Sequence, residues 1–156
     1  EAKKKAKKAK KAQQAQTQVL VRQTMQPSIA AAANKVKMSV VLGIPQDRAM
    51  AEVVSDLIPV AQEISKDPNA KGIVIGGSGE GESMATDRFP NVRTALWYGG
   101  NLEPLKLSRE HNDANILALG ARLVSKEEAV TAVELWLDTP FSGDERHVRR
   151  IAKLDK

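Results

Sequence analysis

The sequence predicts an α/β protein built on a parallel sheet of about five strands with helices on both faces. Short, continuous apolar runs alternate with longer helix-like segments along residues 18–156. Strands that are apolar throughout, rather than at every second position, are typical of a parallel sheet covered on both sides. A chain of 156 residues is long enough for one ordinary domain with a real core. We therefore expect a basic tail over residues 1–17 and one doubly wound (Rossmann-like) three-layer sandwich over residues 18–156.

The individual elements follow from the hydrophobic pattern and from turn and cap residues. The predicted strands are 18–21 (QVLV), 39–43 (SVVLG), 72–77 (GIVIGG), 92–98 (VRTALWY) and 115–121 (NILALGA). The predicted helices are 27–37, 47–66 with an interruption near Pro59, 81–88, 102–110, one that begins after Ser125, and 144–154. Ser125 is followed three residues later by Glu128, which is the spacing of a capping box at a helix N-terminus.

The positive charge of the chain belongs to its first residues. The net charge is +5, and residues 1–12 hold seven lysines and one glutamate, so the other 144 residues sum to −1. A lysine-rich tail can bind polyanions weakly, or it can be a solvated, partly helical extension. The nearly neutral body argues against a nucleic-acid-binding protein.

Several classes of protein are disfavoured by what the sequence lacks. The chain contains no cysteine, which excludes a disulfide framework and thiolate zinc sites. Neither an apolar run of membrane-spanning length nor a signal peptide is visible. The sequence therefore predicts a soluble, cytoplasmic protein without membrane contact.

The first candidate site is the glycine loop, residues 76–81 (GGSGEG). Its G-x-G-x-G spacing differs from that of dinucleotide-binding loops and lacks the lysine of a P-loop, and Glu80 and Glu82 would repel a pyrophosphate. Backbone amides, the Ser78 hydroxyl and a carboxylate suit a different task, the removal of a proton from a carbon next to a carbonyl. On these residues alone, a tight turn with exposed glutamates is the alternative.

Two further polar segments contain candidate residues. In residues 107–115 (LSREHNDAN), His111 is a possible acid or base, or else a capping or surface histidine, and it has no partner at metal-ligand spacing. In residues 144–150 (DERHVRR), Arg146 and Arg150 share a helical face that suits a phosphate. Arg122 could join them, although such arginines are often only solvated. Together these features describe an isomerase of a phosphorylated sugar.

Three long segments, in order, resemble a known family. Residues 72–82 (GIVIGGSGEGE), 107–122 (LSREHNDANILALGAR) and 139–154 (TPFSGDERHVRRIAKL) are similar to ribose-5-phosphate isomerase type B, whose family includes the galactose-6-phosphate isomerase subunits. The resemblance covers residues 57–154. It implies an aldose–ketose isomerase that acts through an enediolate without metal or cofactor. It also implies a homodimer or a dimer of dimers with active sites shared across the subunit interface.

The resemblance also implies roles for single residues. Some family members use a cysteine base at the position of Gly76, whereas others use a glutamate that corresponds to Glu82; without cysteine, this chain resembles the second branch. His111 would assist ring opening, and Asn112 would hold substrate hydroxyls or the enediolate. The implied anion hole consists of Ser78 and the loop amides of Gly77 and Gly79. The implied phosphate ligands are Arg122, Arg146 and Arg150, some of them from the partner subunit.

The N-terminal third departs from the family pattern. Residues 19–28 (VLVRQTMQPS) lack the family's Asp-His-Ala-Gly motif, a Tyr-Pro-Asp segment is missing before residue 58, and Thr86-Asp87-Arg88 replaces Ala-Asn-Lys. Either the protein is a divergent or impaired member, or the residues before about position 56 are not those of the natural chain. The predicted reaction interconverts ribose 5-phosphate and ribulose 5-phosphate. The alternatives are a six-carbon sugar phosphate as substrate and a catalytically impaired sugar-phosphate-binding protein.

Overall fold

The computed structural model describes residues 39–43 and 50–155, and within them four strands alternate with helices. The strands are β1 (Ser39–Gly43), β2 (Lys71–Gly76), β3 (Thr94–Trp97) and β4 (Ile116–Gly120). The helices are α1 (Met50–Lys66), α2 (Glu80–Thr86), α3 (Glu103–Glu110), α4 (Lys126–Asp138) and α5 (Glu145–Leu154). The strand predicted at 18–21, the helix predicted at 27–37 and the basic tail lie outside the described residues.

The strands form one parallel sheet in the order β1-β2-β4-β3. β4 is central, and its residue Ile116 pairs with Gly72 of β2 on one side and with Thr94 of β3 on the other. All five β4 residues are buried, as expected for a strand with a neighbour on each side and helices on both faces. The predicted parallel α/β class is thereby confirmed.

Alternate residues of β4 enter two separate hydrophobic clusters. Leu117 and Leu119 face the cluster that contains Trp136 of α4, whereas Ile116 and Ala118 face the cluster that contains Leu57 of α1. This alternation follows from the pleat of a strand, which sends successive side chains to opposite faces. The three-layer arrangement predicted from the continuous apolar runs is therefore present.

The predicted interruption of α1 near Pro59 is wrong. The helix runs without a break from Met50 to Lys66, although a proline inside a helix costs about 3 kcal/mol because it removes a hydrogen bond and crowds the preceding turn. Pro59 is exposed, whereas Leu57, Val60 and Ile64 are buried in the second cluster. Burial contributes about 1.5–3 kcal/mol for each such side chain, which offsets the cost of the proline.

The predicted capping box of α4 is present. The Ser125 hydroxyl accepts a hydrogen bond from the Glu128 amide at 3.2 Å, and the Glu128 carboxylate accepts one from the Ser125 amide at 2.7 Å. The hydrogen bonds from Ser125 lower the pKa of Glu128 below its ordinary value. Within the described part of the chain, no helix combines the length and apolarity that a membrane crossing requires.

Candidate active site

The glycine loop lies where β2 and β4 end, and we call this side of the sheet the carboxyl edge. The segments that follow β2 and β4 remain paired beyond the ends of the strands. The Ala121 amide donates to the Gly76 carbonyl at 2.8 Å, and the Arg122 amide donates to the Gly77 carbonyl at 3.0 Å. A Cβ atom on Gly77 would lie 3.4 Å from the guanidinium carbon of Arg122. Arg122 and the glycine loop therefore form one surface.

The Glu82 side chain folds back from α2 onto the end of β2. A Cβ atom placed on Gly76 would overlap the Glu82 carboxylate, which therefore occupies the space that any other side chain at position 76 would need. Glu82 is only 8% exposed. Within residues 57–155 no hydrogen bond or ion pair engages its carboxylate, so Glu82 is a nearly buried acid packed against the backbone of Gly76.

The turn between β2 and α2 depends on a left-handed glycine. Gly79 has a φ of 82° and is the N-cap of α2, and a Cβ atom there would lie 2.7 Å from the Leu96 side chain. The Ser78 hydroxyl accepts a hydrogen bond from the Glu80 amide at 3.3 Å. Within residues 57–155, the amides of Ser78 and Gly79 donate to no protein acceptor. The loop thus offers two amide donors close to the acid.

The C-terminal end of α2 is fixed by residues that the sequence pattern did not single out as functional. The Thr86 hydroxyl donates to the Glu82 carbonyl at 2.8 Å and lies 2.8 Å from the Thr94 hydroxyl. The Asp87 carboxylate accepts a hydrogen bond from the Thr94 amide at 2.8 Å. The two residues therefore attach the helix that carries Glu82 to the start of β3. The available signal was the departure of Thr86-Asp87-Arg88 from the pattern that the family resemblance implies.

The segment His111-Asn112-Asp113, the HND turn, lies at the opposite end of the sheet, which we call the amino edge. Within a single chain it does not fold back to the carboxyl edge. The carbonyl of Asn115, just before β4, accepts a hydrogen bond from the Gly72 amide at the start of β2 at 2.8 Å. The length of β4, roughly 16 Å at about 3.3 Å per residue, separates the turn from the glycine loop.

His111 of the HND turn stacks on His147 of α5. The ring centroids are 4.3 Å apart and the ring planes differ by 12°. His147 is buried, and its Nε2 accepts a hydrogen bond from Nε of Arg146 at 3.2 Å, which leaves the proton of the neutral ring on Nδ1. Burial lowers the pKa of His147, and the charges of His111 and Arg146 add to this effect. His147 is therefore neutral at neutral pH and packs as a buried ring, a role that sequence reasoning missed.

The three candidate phosphate arginines do not lie together in one chain. Arg146 and Arg150 are exposed on α5, on the side of the HND turn, whereas Arg122 lies at the carboxyl edge beside Gly77. Arg149 is engaged elsewhere, since its guanidinium is 3.7 Å from the Glu145 carboxylate. The candidate residues thus divide into two groups. Glu82, Ser78, the loop glycines and Arg122 form one group, and His111, Asn112, Arg146 and Arg150 form the other.

The described residues contain no cluster of side chains that could bind a metal ion. No group of three or more His, Cys, Asp or Glu side chains at metal-binding distance occurs within residues 57–155. The chemistry available at the two edges is that of a carboxylate, amide donors, histidines and arginines.

The fold and the candidate site together indicate the structural class of this protein. The chain is a doubly wound α/β protein with a nearly buried acid, Glu82, in the first turn of the helix that follows β2, at the edge where ligands of such sheets bind. A family model described as "Ribose/Galactose Isomerase" matches residues 49–154, which is more than half of the chain, and the chain belongs to this family.

Similar proteins agree with this assignment. Ribose-5-phosphate isomerase B of Mycolicibacterium paratuberculosis is 40% identical over 94 residues, which cover 60% of this chain and 58% of that protein. The type B ribose 5-phosphate isomerase of Trypanosoma cruzi is 38% identical, with a TM-score of 0.61 over 65% of this chain and 67% of that one. A ribose 5-phosphate isomerase of Thermotoga maritima is 30% identical, with a TM-score of 0.62 over 76% of this chain and 98% of that one. The match thus spans less than two thirds of the curated relative's length.

Proposed function

We propose that this protein is an aldose–ketose isomerase that interconverts ribose 5-phosphate and ribulose 5-phosphate without a metal or cofactor. The observation that carries the proposal is the Glu82 carboxylate, 8% exposed and seated on Gly76 beside the amides of the glycine loop. Its relatives named ribose-5-phosphate isomerase B support the choice of substrate.

In this reaction Glu82 is the base. It removes the proton from C2 of the open-chain aldose, and the electron pair of that C–H bond forms the C1–C2 double bond of an enediolate. The negative oxygen on C1 is held by the amides of Ser78 and Gly79, which donate to no acceptor within residues 57–155. The Glu82 carboxyl then returns its proton to C1, while a second proton passes from the C2 hydroxyl to the C1 oxygen. The ketose results, and no redox partner is needed.

The remaining groups complete the site from a second subunit. His111 would open the sugar ring, Asn112 would hold its hydroxyls, and Arg146 and Arg150 would bind the phosphate together with Arg122. Within one chain the two groups lie at opposite edges of the sheet, so we propose a homodimer, or a dimer of dimers, in which one subunit's amino edge meets its partner's carboxyl edge. A cytoplasmic location and a place in pentose phosphate metabolism belong to the same proposal.

The direct test replaces the base. Glu82→Gln keeps the size of the side chain but removes its basicity, so turnover of ribose 5-phosphate should fall by about 10²–10⁴-fold. Substrate binding, measured by calorimetry, should change little, because the phosphate is held by arginines on other elements. Glu80→Gln is the matched control: Glu80 is exposed, in the same turn of α2, and its variant should retain turnover. Near-normal turnover of Glu82→Gln would refute the assignment.

The shared site can be tested by subunit mixing. Glu82→Gln and the double variant Arg146→Ala/Arg150→Ala should each be inactive alone. In a statistical mixture half of the dimers are hybrids, and each hybrid has one site with both sets of residues intact, so about one quarter of wild-type activity should return. A mixture that stays inactive, although exchange of tagged subunits is complete, would mean that the site is not shared.

A six-carbon sugar phosphate is the alternative substrate, because the family description names galactose as well as ribose. Parallel assays with ribose 5-phosphate and galactose 6-phosphate distinguish the two. Binding of either sugar without turnover would instead indicate the impaired family member that the missing Asp-His motif suggests.

A further inference from the structure

Arg93, which directly precedes β3, joins the HND turn to the C-terminal end of α5. Its Nη1 atom lies 2.8 Å from Oδ2 and 3.1 Å from Oδ1 of Asp155. Its Nε atom donates to the carbonyls of Asn112 at 3.1 Å and Asp113 at 3.2 Å. Its Nη2 atom lies 3.4 Å from the Asp113 carboxylate. One side chain, only 15% exposed, thus contacts both elements that carry the second group of site residues.

The HND turn is held from its other side as well. Asp113 has a left-handed φ of 45°, which is unfavourable for a residue other than glycine. Its carboxylate accepts a hydrogen bond from Nη1 of Arg109 at 2.8 Å, and the same nitrogen donates to the Ala114 carbonyl. Arg109 is buried, and its Nε donates to the Thr139 carbonyl at 3.3 Å. The backbone of the turn is therefore fixed, and only the side chains of His111 and Asn112 remain to act.

Helix α5 has much weaker support. His147 is its one buried side chain, and it packs on His111 near the N-terminal end of the helix. The Arg93–Asp155 pair holds the chain just beyond the C-terminal end. Arg146 directly precedes His147, and Arg150 lies between His147 and Asp155 along the helix. Without the Asp155 pair the C-terminal half of α5 loses its charged anchor, and Arg150 is then free to move relative to Asn112.

We propose that Arg93, through Asp155, is a positioning residue that holds α5 in register with the HND turn, so that Arg146 and Arg150 meet the phosphate while Asn112 meets the sugar. This inference rests on the proposed function for its substrate. It concerns binding and not proton transfer, because the base Glu82 is carried by α2 and not by the two elements that Arg93 joins. Loss of the pair should therefore raise KM far more than it lowers kcat.

The test is Asp155→Asn, which removes the charge and keeps the shape. The matched control is Glu145→Gln, which makes the same carboxylate-to-amide change at the opposite end of α5 and disrupts the exposed Glu145–Arg149 pair. We expect the KM for ribose 5-phosphate to rise about tenfold in Asp155→Asn, with kcat within about twofold of wild type. Asp155→Glu should restore KM, and Glu145→Gln should leave both constants unchanged. An unchanged KM in Asp155→Asn, or an equal rise in the control, would overturn the proposal.

Amide hydrogen exchange separates this inference from the proposed function. Asp155→Asn should speed exchange across α5 while leaving β2 and α2 protected, and Glu145→Gln should not. If exchange in α5 is unchanged, the positioning role is wrong whether or not the protein is an isomerase. If the wild-type protein fails to isomerise sugar phosphates while exchange in α5 speeds up in Asp155→Asn, the proposed function is wrong. The role of Arg93 and Asp155 in holding α5 against the HND turn is then still supported.

Discussion

The two edges of the sheet hold their functional residues in different ways. At the carboxyl edge, backbone geometry positions the candidate residues. Gly76 leaves room for the Glu82 carboxylate, and Gly79 adopts the left-handed conformation from which α2 begins. At the amino edge, side-chain hydrogen bonds and ion pairs position the candidate residues, because Arg93 and Arg109 bind the HND turn from two sides.

The difference matches the tasks proposed for each edge. A base must keep its carboxylate unpaired and close to donors, and a surrounding of glycines supplies contact without competing charges. A binding surface must keep several groups in a fixed relative position, and multiple hydrogen bonds to carbonyls and carboxylates do this well. Substitutions at the carboxyl edge should therefore affect turnover first, and substitutions at the amino edge should affect stability and binding first.

The largest expected effect is at Gly76. In Gly76→Ala the new methyl group would overlap the Glu82 carboxylate and force it out of its position. We expect turnover to fall by about 10²–10⁴-fold, as for loss of the base itself. Steady-state kinetics with ribose 5-phosphate measures the effect.

The control for this prediction lies on the same strand. In Gly72→Ala the methyl group would lie 3.3 Å from the Cγ1 atoms of the buried Ile116 and Val60, and Glu82 is not among the nearest atoms. That variant should keep its turnover, even if the tight packing lowers its stability. Turnover of Gly76→Ala at the level of Gly72→Ala would break the link between the glycine and the base.

The next effect is on folding, at Arg109. Arg109→Met leaves the carbonyls of Ala114 and Thr139 without the guanidinium donor and removes one of the two arginines that contact the Asp113 carboxylate. Leaving a buried carbonyl without its donor typically costs about 1–3 kcal/mol of unfolding free energy. Urea denaturation should measure that loss. Arg149→Met, which removes an exposed arginine paired only with Glu145, should change stability by less than about 0.5 kcal/mol. Equal losses in the two variants would contradict the distinction.

The smallest effect is a pH dependence at His147. Its pKa in the folded protein is lowered from the ordinary value of 6.5, mainly by burial, so the unfolded chain binds the proton more readily. The stability contribution of the neutral ring is therefore present above about pH 6.5 and is lost as the pH falls through the folded pKa. Thermal unfolding between about pH 7.5 and 5.5 should show a flatter acid slope in His147→Gln than in wild type. Parallel slopes would exclude His147 as the source.

The sequence by itself was enough to predict the layers of the fold. Continuous apolar runs such as residues 72–77 and 115–121 predicted strands buried on both faces, and β2 and β4 are such strands. The capping box at Ser125 was visible because its two hydrogen bonds are local, three residues apart. Pro59 misled because the propensity of one residue is weak compared with the burial of Leu57, Val60 and Ile64, which only the tertiary structure decides.

The composition of the candidate site could be predicted in the same way, but its division between two edges could not. Residue type and motif singled out Glu82, His111 and the arginines as candidates, since the chemical character of a side chain can be read from the sequence. Which of them meet depends on how β2 and β4 are paired, and the parallel register puts the glycine loop and the HND turn at opposite ends. The seat of Glu82 on Gly76, the His111–His147 stack and the Arg93–Asp155 pair all join residues brought together by packing. Local sequence determined the elements and the reactive groups, because these depend on neighbouring residues; the tertiary structure decided their contacts, because those depend on chain segments up to 62 residues apart.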